Sequence, residues 1–316
     1  MKSHMIMLSL LMLLGVGLVG FAETVHSPDG KVVIEVGVKY FEKPFSEGNY
    51  LYYQIRYVDK KIVHPSPVFL LLPNGIIFGS GLTVTEVLRK SIDETSELLY
   101  GKSKYLRTEC NELQLTLEES AGKKQKFILT IRAYNDAAAL RLSICRIPGM
   151  AELVIQQEQT FFRLPPGTAY ALPLKNFLTA YENNYEITAT AGLKSDRPIA
   201  LPLLIELDSG PWIAIAEADL RDYPGMYLAP FSSETNSLLS QLAPLRRDTT
   251  ISARIQLPHD LPWRVIMIAD HPGNLIESDV LLSLSEPSRL EDPSWIRPGK
   301  VAWDWWSDRV VEGRNF

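Results

Sequence analysis

The residues best suited to chemistry stand together in the run Tyr181-Glu182-Asn183-Asn184-Tyr185-Glu186. This run combines two carboxylates and two amides with two tyrosines. Carboxylate and amide oxygens are the hard donors that Ca²⁺ prefers, and a tyrosine ring suits the apolar face of a sugar. By spacing alone, an exposed loop with solvated acids is the favoured interpretation, and a calcium or sugar site is the alternative.

A second cluster, Trp303-Asp304-Trp305-Trp306, stands near the C-terminus. Its indole rings and carboxylate could line a carbohydrate subsite at the end of a strand, or they could pack in a core beside one buried acid. The sequence contains no glycine-rich phosphate loop and no HExxH, CxxC or GxSxG motif. The sequence motifs alone therefore identify no catalytic residue.

The elements that must position these clusters are predicted to be strands. Between residues 24 and 269 the dominant hydrophobic period is two, as in the alternating leucines at 113, 115 and 117. Turn signals such as Pro28-Asp29-Gly30 and Asp59-Lys60 separate these runs. The pattern predicts an all-β domain of two stacked antiparallel sheets.

The pattern changes after residue 271. Ile276, Val280 and Leu284 recur at every fourth position, which predicts one helix over residues 272–285. The polar, proline-containing residues 286–294 then predict a linker. After the linker, Val301–Trp306 is typical of a buried strand.

Charge and the N-terminus limit the function further. The 316 residues carry 32 Lys plus Arg against 37 Asp plus Glu, which offers no basic field for nucleic acid. Residues 1–22 have a basic start and a short apolar run that ends in Gly20-Phe21-Ala22, which predicts a secretory signal peptide and no membrane span after its cleavage.

Cys110 and Cys145 could pair in an oxidising compartment, but their strand-like surroundings favour free thiols.

Several short segments then point together to one family. They are Ser27-Pro28-Asp29-Gly30, Tyr134-Asn135-Asp136, Tyr181-Glu182, Ala216-Glu217-Ala218-Asp219-Leu220, Asp222-Tyr223-Pro224-Gly225-Met226-Tyr227, Pro262-Trp263-Arg264-Val265-Ile266, Ala269-Asp270, Ser294-Trp295-Ile296 and Pro298-Gly299-Lys300-Val301-Ala302-Trp303-Asp304-Trp305-Trp306. In this order they resemble glycoside hydrolase family 97, the secreted α-glucosidases and α-galactosidases of glycan-degrading bacteria.

The resemblance implies a fold and its boundaries. It implies an N-terminal β-super-sandwich similar to galactose mutarotase over residues 23–285, the linker at 286–294, and the start of a catalytic (β/α)₈ barrel at 295–316. A complete barrel needs about 250 residues, whereas 16 residues follow Lys300. We therefore expect this chain to hold a truncated first strand of the barrel.

The resemblance also implies a function for the whole polypeptide. Hydrolysis of an α-linked oligosaccharide needs two carboxyl groups, and by the resemblance both come from later barrel strands, so no catalytic residue is assigned here. The family's Ca²⁺ receives one glutamate from the N-terminal domain, and Glu182 matches it best, with Glu186 as the second choice.

Further expectations follow from the same resemblance. We expect substrate contacts from Asp196, Arg197, Asp304 and Trp305, assembly with the remainder of the barrel, and export to a bacterial periplasm. The alternative is a non-catalytic carbohydrate-binding or structural β-sandwich module.

Overall fold

The computed structural model describes residues 21–120 and 125–301, and nearly all of its regular secondary structure is antiparallel strand. The strands are β1 (Ala22–His26), β2 (Val32–Phe41), β3 (Gly48–Tyr57), β4 (Lys60–Leu72), β5 (Ile76–Phe78), β6 (Leu82–Glu97), β7 (Tyr105–Glu119), β8 (Lys126–Tyr134), β9 (Ala137–Ile144), β10 (Glu152–Ile155), β11 (Gln157–Arg163), β12 (Gly167–Ala171), β13 (Glu186–Ala189), β14 (Leu203–Leu207), β15 (Trp212–Ala218), β16 (Met226–Pro230), β17 (Ser237–Leu242), β18 (Ala253–Gln256), β19 (His259–Asp260) and β20 (Trp263–Ala269). Two short helices follow, α1 (Pro272–Glu277) and α2 (Val280–Ser283).

Two large sheets form the domain. The first has the order β1-β2-β3-β4-β11-β17-β16, with β5 paired to β4. The second has the order β13-β12-β14-β15-β20-β9-β8-β7-β6, with β19 paired to β9. A small third sheet joins β10 and β18. The predicted all-β sandwich of antiparallel sheets is confirmed.

The core lies between the two large sheets, where alternate residues of each strand meet. Leu113, Leu115 and Leu117 are fully buried and share one cluster with Ile34 and Ile55 of the facing sheet. Because successive side chains of a strand point to opposite faces, the period of two brings all three leucines to the interior. Hydrophobic burial of this kind is the main stabilising term of such a sandwich.

The single helix predicted over residues 272–285 is wrong. The chain leaves helical geometry at Ser278, and Lys102 donates hydrogen bonds to the carbonyl oxygens of Ile276 and Ser278. These bonds satisfy carbonyl groups that a continuous helix would have used. As a result Ile276 is 76% exposed, while Val280 and Leu284 pack on the outer face of the larger sheet.

Residues 286–301 have no helix or strand, and Trp295 and Val301 are exposed. The rest of the predicted barrel strand, including Asp304 and Trp305, lies outside the described residues, as do residues 1–20 of the predicted signal peptide. The boundaries 23–285, 286–294 and 295–316 stay a prediction. Neither helix of the described ranges is long and apolar enough to cross a membrane. Cys110 and Cys145 are both free thiols.

Candidate functional site

One long connection carries three of the predicted site residues. This site segment, residues 172–202, joins β12 to β14 and contains β13 and a single 3-10 turn. Ile199 forms bridges to Pro173 within the segment and to Leu228 of β16. Since β13 and β16 are the terminal strands of the two large sheets, the site segment closes one edge of the sandwich.

Side-chain hydrogen bonds fix the backbone on both sides of Glu182. The hydroxyl of Tyr181 donates to the hydroxyl of Tyr227 at 2.8 Å, and Asn183 Nδ2 donates to the carbonyl of Pro173 at 2.9 Å. The Glu182 side chain itself is exposed and has no hydrogen bond or ion pair within the described residues. The Glu182 carboxylate is therefore free to bind a ligand, while hydrogen bonds of Tyr181 and Asn183 hold the backbone on either side of it.

Glu186 is engaged differently. Arg197 Nη2 lies 3.0 Å from Glu186 Oε1, while Arg197 Nε lies 3.8 Å from Asp196 Oδ1. The structure thus brings Asp196 and Arg197 into one loop, but the shorter ion pair of Arg197 is with Glu186. A metal ion at Glu186 would have to displace this guanidinium, whereas Glu182 has no such competitor.

The described residues can supply one ligand to a Ca²⁺ ion but not a complete coordination shell. Ca²⁺ takes six to eight oxygen ligands, and no three His, Cys, Asp or Glu side chains within residues 21–120 and 125–301 are grouped to hold a metal. Glu182 can supply a carboxylate ligand because its oxygens are free. The other ligands would have to come from outside the described residues or from solvent.

The site segment also exposes large apolar side chains. Leu178 is 75% exposed and Ile187 is 66% exposed, and Tyr181 and Tyr185 are exposed beside them in sequence. Four large exposed side chains within residues 178–187 are more apolar surface than a short solvent-facing connection ordinarily shows. This edge of the sandwich is therefore suited to contact with another domain or with a sugar.

Sequence reasoning missed a buried ion network behind this edge. Arg264 donates to both carboxylate oxygens of Glu158, at 2.8 and 2.6 Å, and to Glu217 Oε2 at 2.7 Å. Glu217 in turn accepts the backbone N–H of Met226 at 3.1 Å, which fixes the start of β16. The available signal was a charged residue inside the apolar run Trp263-Arg264-Val265.

The two glutamates of this network differ in their pKa. Burial alone would raise the pKa of Glu158, but the charge and hydrogen bonds of Arg264 hold it below its usual value. Burial raises the pKa of Glu217, and this effect exceeds the opposing influence of Arg264. The different surroundings of the two carboxyl groups account for the opposite directions.

This pair of carboxylates is not a glycosidase pair. The void beside Glu158, Thr160 and Arg264 measures about 10 Å³, which is room for roughly one water molecule. A sugar ring cannot enter, and Arg264 occupies the space between the carboxylates. The network joins β11, β15 and β20 inside the sandwich through Glu158, Glu217 and Arg264.

Comparisons with known proteins identify the family of this β-sandwich chain. The family model described as "Glycosyl-hydrolase 97 N-terminal" matches residues 25–287. The chain is similar to a retaining alpha-galactosidase of Bacteroides thetaiotaomicron, at 28% identity over 93% of this chain and 45% of the relative. It is also similar to a probable retaining alpha-galactosidase of Streptomyces bingchenggensis, at 25% identity over 83% of this chain and 39% of the relative.

A solved structure shows the same fold. It is a glycoside hydrolase family 97 enzyme of Pseudoalteromonas sp. strain K8 in complex with acarbose, with a TM-score of 0.78 and 23% identity. The match covers 88% of this chain and 40% of that one. The chain thus spans less than half the length of the relatives it matches.

Proposed function

The chain belongs to the glycosyl-hydrolase 97 N-terminal family, and from this we propose that it is the N-terminal portion of a secreted enzyme that hydrolyses α-glucosides or α-galactosides. In this proposal the sandwich supplies a calcium ligand and substrate contacts to a (β/α)₈ barrel that carries the catalytic carboxylates. The observation that carries it is the free carboxylate of Glu182, held from both sides on an apolar, exposed edge.

Glu182 is the proposed calcium ligand. Its carboxylate has no partner within the described residues, whereas Glu186 is paired with Arg197 at 3.0 Å. A bound Ca²⁺ would supply a hard positive charge that attracts sugar hydroxyl oxygens. The Tyr181 and Asn183 hydrogen bonds limit the backbone motion of this ligand, so less entropy is lost when the carboxylate is fixed by a metal.

Asp196 and Arg197 are the proposed sugar contacts of the sandwich. Arg197 keeps part of its guanidinium free, because Glu186 occupies Nη2 and Asp196 lies near Nε. Guanidinium and carboxylate groups together can donate to and accept from neighbouring sugar hydroxyls. Asp304 and Trp305 are proposed as further contacts from the barrel strand, and the predicted signal peptide supports export to a periplasm.

The first experiment tests the calcium ligand in the polypeptide encoded by the whole reading frame, including any barrel that continues downstream of residue 316. Calcium is removed by chelation and then titrated back by calorimetry into wild type, Glu182→Gln and the matched control Glu186→Gln. We expect Glu182→Gln to weaken Ca²⁺ binding at least tenfold and Glu186→Gln to have a much smaller effect. Equal effects of the two substitutions would reject Glu182 as the ligand.

The second experiment tests where the catalytic groups lie. The purified chain of residues 23–316 is assayed with p-nitrophenyl α-glucoside and p-nitrophenyl α-galactoside. We expect no hydrolysis above background, because the paired carboxylates inside the sandwich are inaccessible to a sugar. Turnover by this chain would contradict the proposal.

A binding module without catalysis is the second candidate, and the exposed tyrosine rings at 181 and 185 favour it. Titration of residues 23–316 with maltooligosaccharides by calorimetry distinguishes the two. Saturable binding that is kept in Tyr185→Phe, which retains the ring, and lost in Tyr185→Ala would support the module. An unchanged baseline would leave the enzyme portion as the better account.

A further inference from the structure

The larger sheet has an open edge at the end away from the site segment. β6 is the terminal strand there, so β7 pairs with one side of it and no strand of the described residues pairs with the other. Of its 16 residues only Leu82 and Ile92 are buried. An open edge presents unpaired backbone N–H and C=O groups, and another strand can add to them.

Two charged side chains of β6 have no ion pair or hydrogen bond within the described residues. They are Lys90 and Glu94, and both are exposed. Every other charged side chain of the strand has a partner, and the pairs are Glu86 with Thr116, Arg89 with Glu23, Asp93 with Arg107, and Glu97 with Lys104. Lys90 and Glu94 are therefore the charges of this edge that stay available to another molecule.

The sheet itself does not supply partners for these two side chains. On β7, Lys90 faces Glu112, whose carboxylate accepts from Arg132 at 2.8 Å, and Glu94 faces the uncharged Thr108. Along β6, Lys90 and Glu94 are four residues apart, which is about 13 Å at a rise of about 3.4 Å per residue. Their even spacing places both side chains on the same face of the sheet.

Lys90 and Glu94 are also placed symmetrically about Ile92. When two β6 strands pair antiparallel with Ile92 opposite Ile92, Lys90 of each copy faces Glu94 of the other. The two-fold axis of this arrangement is perpendicular to the sheet, so the same face of both copies points outward. Unlike charges that lie directly opposite each other stabilise an antiparallel pair.

Other pairings of the same strand bring like charges together. A parallel copy in register places Lys90 opposite Lys90, and an antiparallel copy centred on Asp93 places Asp93 opposite Asp93. Like charges directly opposite each other destabilise a strand pair. Charged side chains usually protect an edge strand from association, and in β6 they disfavour these pairings while they match the antiparallel copy centred on Ile92.

We propose that the open edge of β6 is an interface for a second copy of this chain, which adds antiparallel with Ile92 at the two-fold axis and with two Lys90–Glu94 pairs across it. Such an interface is isologous and closes at a dimer. One strand from each copy buries less than the roughly 1,600 Å² of a standard interface. The dimer is therefore weak, with a dissociation constant in the micromolar range.

The test is a charge exchange followed by sedimentation equilibrium of purified residues 23–316 over a range of concentrations. Lys90→Glu and Glu94→Lys should each weaken dimerisation about tenfold or more, because each substitution turns both cross-strand attractions into repulsions. The double variant Lys90→Glu/Glu94→Lys restores unlike charges at both positions. Its dissociation constant should return to within about threefold of the wild-type value, which identifies the register as well as the surface.

Lys61→Glu is the matched control, because Lys61 is an exposed lysine of β4 in the other sheet. It should dimerise as wild type does, and thermal melting verifies that each variant keeps its fold. A monomer at every concentration up to about 200 µM overturns the proposal. So does a double variant that stays monomeric, or association that the single substitutions leave unchanged, since the exposed segment around Trp295 would then be its source. Glu182→Gln should not alter dimerisation, so this test and the calcium experiment can fail separately.

Discussion

The hydroxyl groups of Tyr181 and Tyr227 lie 2.8 Å apart and join the site segment to β16. Tyr227 follows Met226, whose backbone N–H is held by Glu217, and Glu217 is paired with Arg264. These hydrogen bonds, with the covalent link between Met226 and Tyr227, thus connect the buried ion network to the residue that precedes Glu182. The position of the free carboxylate depends on groups in three different strands and one loop.

Tyr227→Phe should loosen the site segment without unfolding the sandwich. The substitution removes one hydrogen bond, which contributes about 1 kcal/mol, and leaves the contact between the two rings. Hydrogen exchange of residues 176–184, measured by mass spectrometry, should accelerate about fivefold, with little change elsewhere. Tyr185→Phe is the control, since the Tyr185 ring is exposed and its hydroxyl has no hydrogen bond within the described residues. Equal exchange in both variants would contradict a tethering role for Tyr227.

Arg264→Met should be among the most destabilising single substitutions in this chain. It leaves Glu158 buried without its countercharge and also removes a partner of Glu217, so the free energy of unfolding should fall by about 3–5 kcal/mol. Urea denaturation measures this directly. Arg254→Met removes an exposed ion pair with Glu152 and should change the free energy of unfolding by less than about 1 kcal/mol. A similar small effect of Arg264→Met would mean that the network contributes little.

Glu158→Gln should reduce stability in a pH-dependent way. The pKa of Glu158 is lowered in the folded protein, whereas a glutamate in the unfolded chain has a pKa of about 4.3. The ionised carboxylate therefore contributes stability that is fully present above pH 4.3 and is lost as the pH falls through the folded-state pKa. The difference in unfolding free energy between wild type and Glu158→Gln should be largest near pH 7 and should shrink below about pH 4. A difference that grows on acidification would show that the sign assigned to this group is wrong.

Removal of residues 295–316 should leave the sandwich intact and raise its solubility. Residues 295–301 have no helix or strand, and Trp295 and Val301 are exposed, so their loss costs little buried surface while it removes an apolar segment that promotes association. The melting temperature of the shortened chain should match that of the whole chain, and light scattering should show less aggregation. Unfolding of the shortened chain would place these residues inside the sandwich and move the proposed boundary.

The local pattern of apolar and polar residues was enough to predict the strands, because a strand is recognised from the alternation of these side chains over a few neighbouring residues. The leucines of β7 illustrate this, since their spacing alone assigns them to one face. The helix over residues 272–285 was predicted wrongly for the opposite reason. Its break depends on Lys102, a residue more than 170 positions away in sequence, whose ammonium group binds the carbonyls of Ile276 and Ser278.

The sequence by itself determined the all-β class, the alternation that builds the core and the family resemblance, whereas it only favoured free thiols at Cys110 and Cys145, which the structure shows. Only the tertiary structure decided which acidic residues are free and which are neutralised. Glu182 and Glu186 are equivalent in composition and lie four residues apart, yet the fold places Arg197 against Glu186 and leaves Glu182 open. Glu158 and Arg264 are 106 residues apart, and they meet because β11 and β20 belong to opposite sheets that pack face to face. The availability of a charge depends on its spatial neighbours, and in an antiparallel sandwich those neighbours come from strands far apart in the chain.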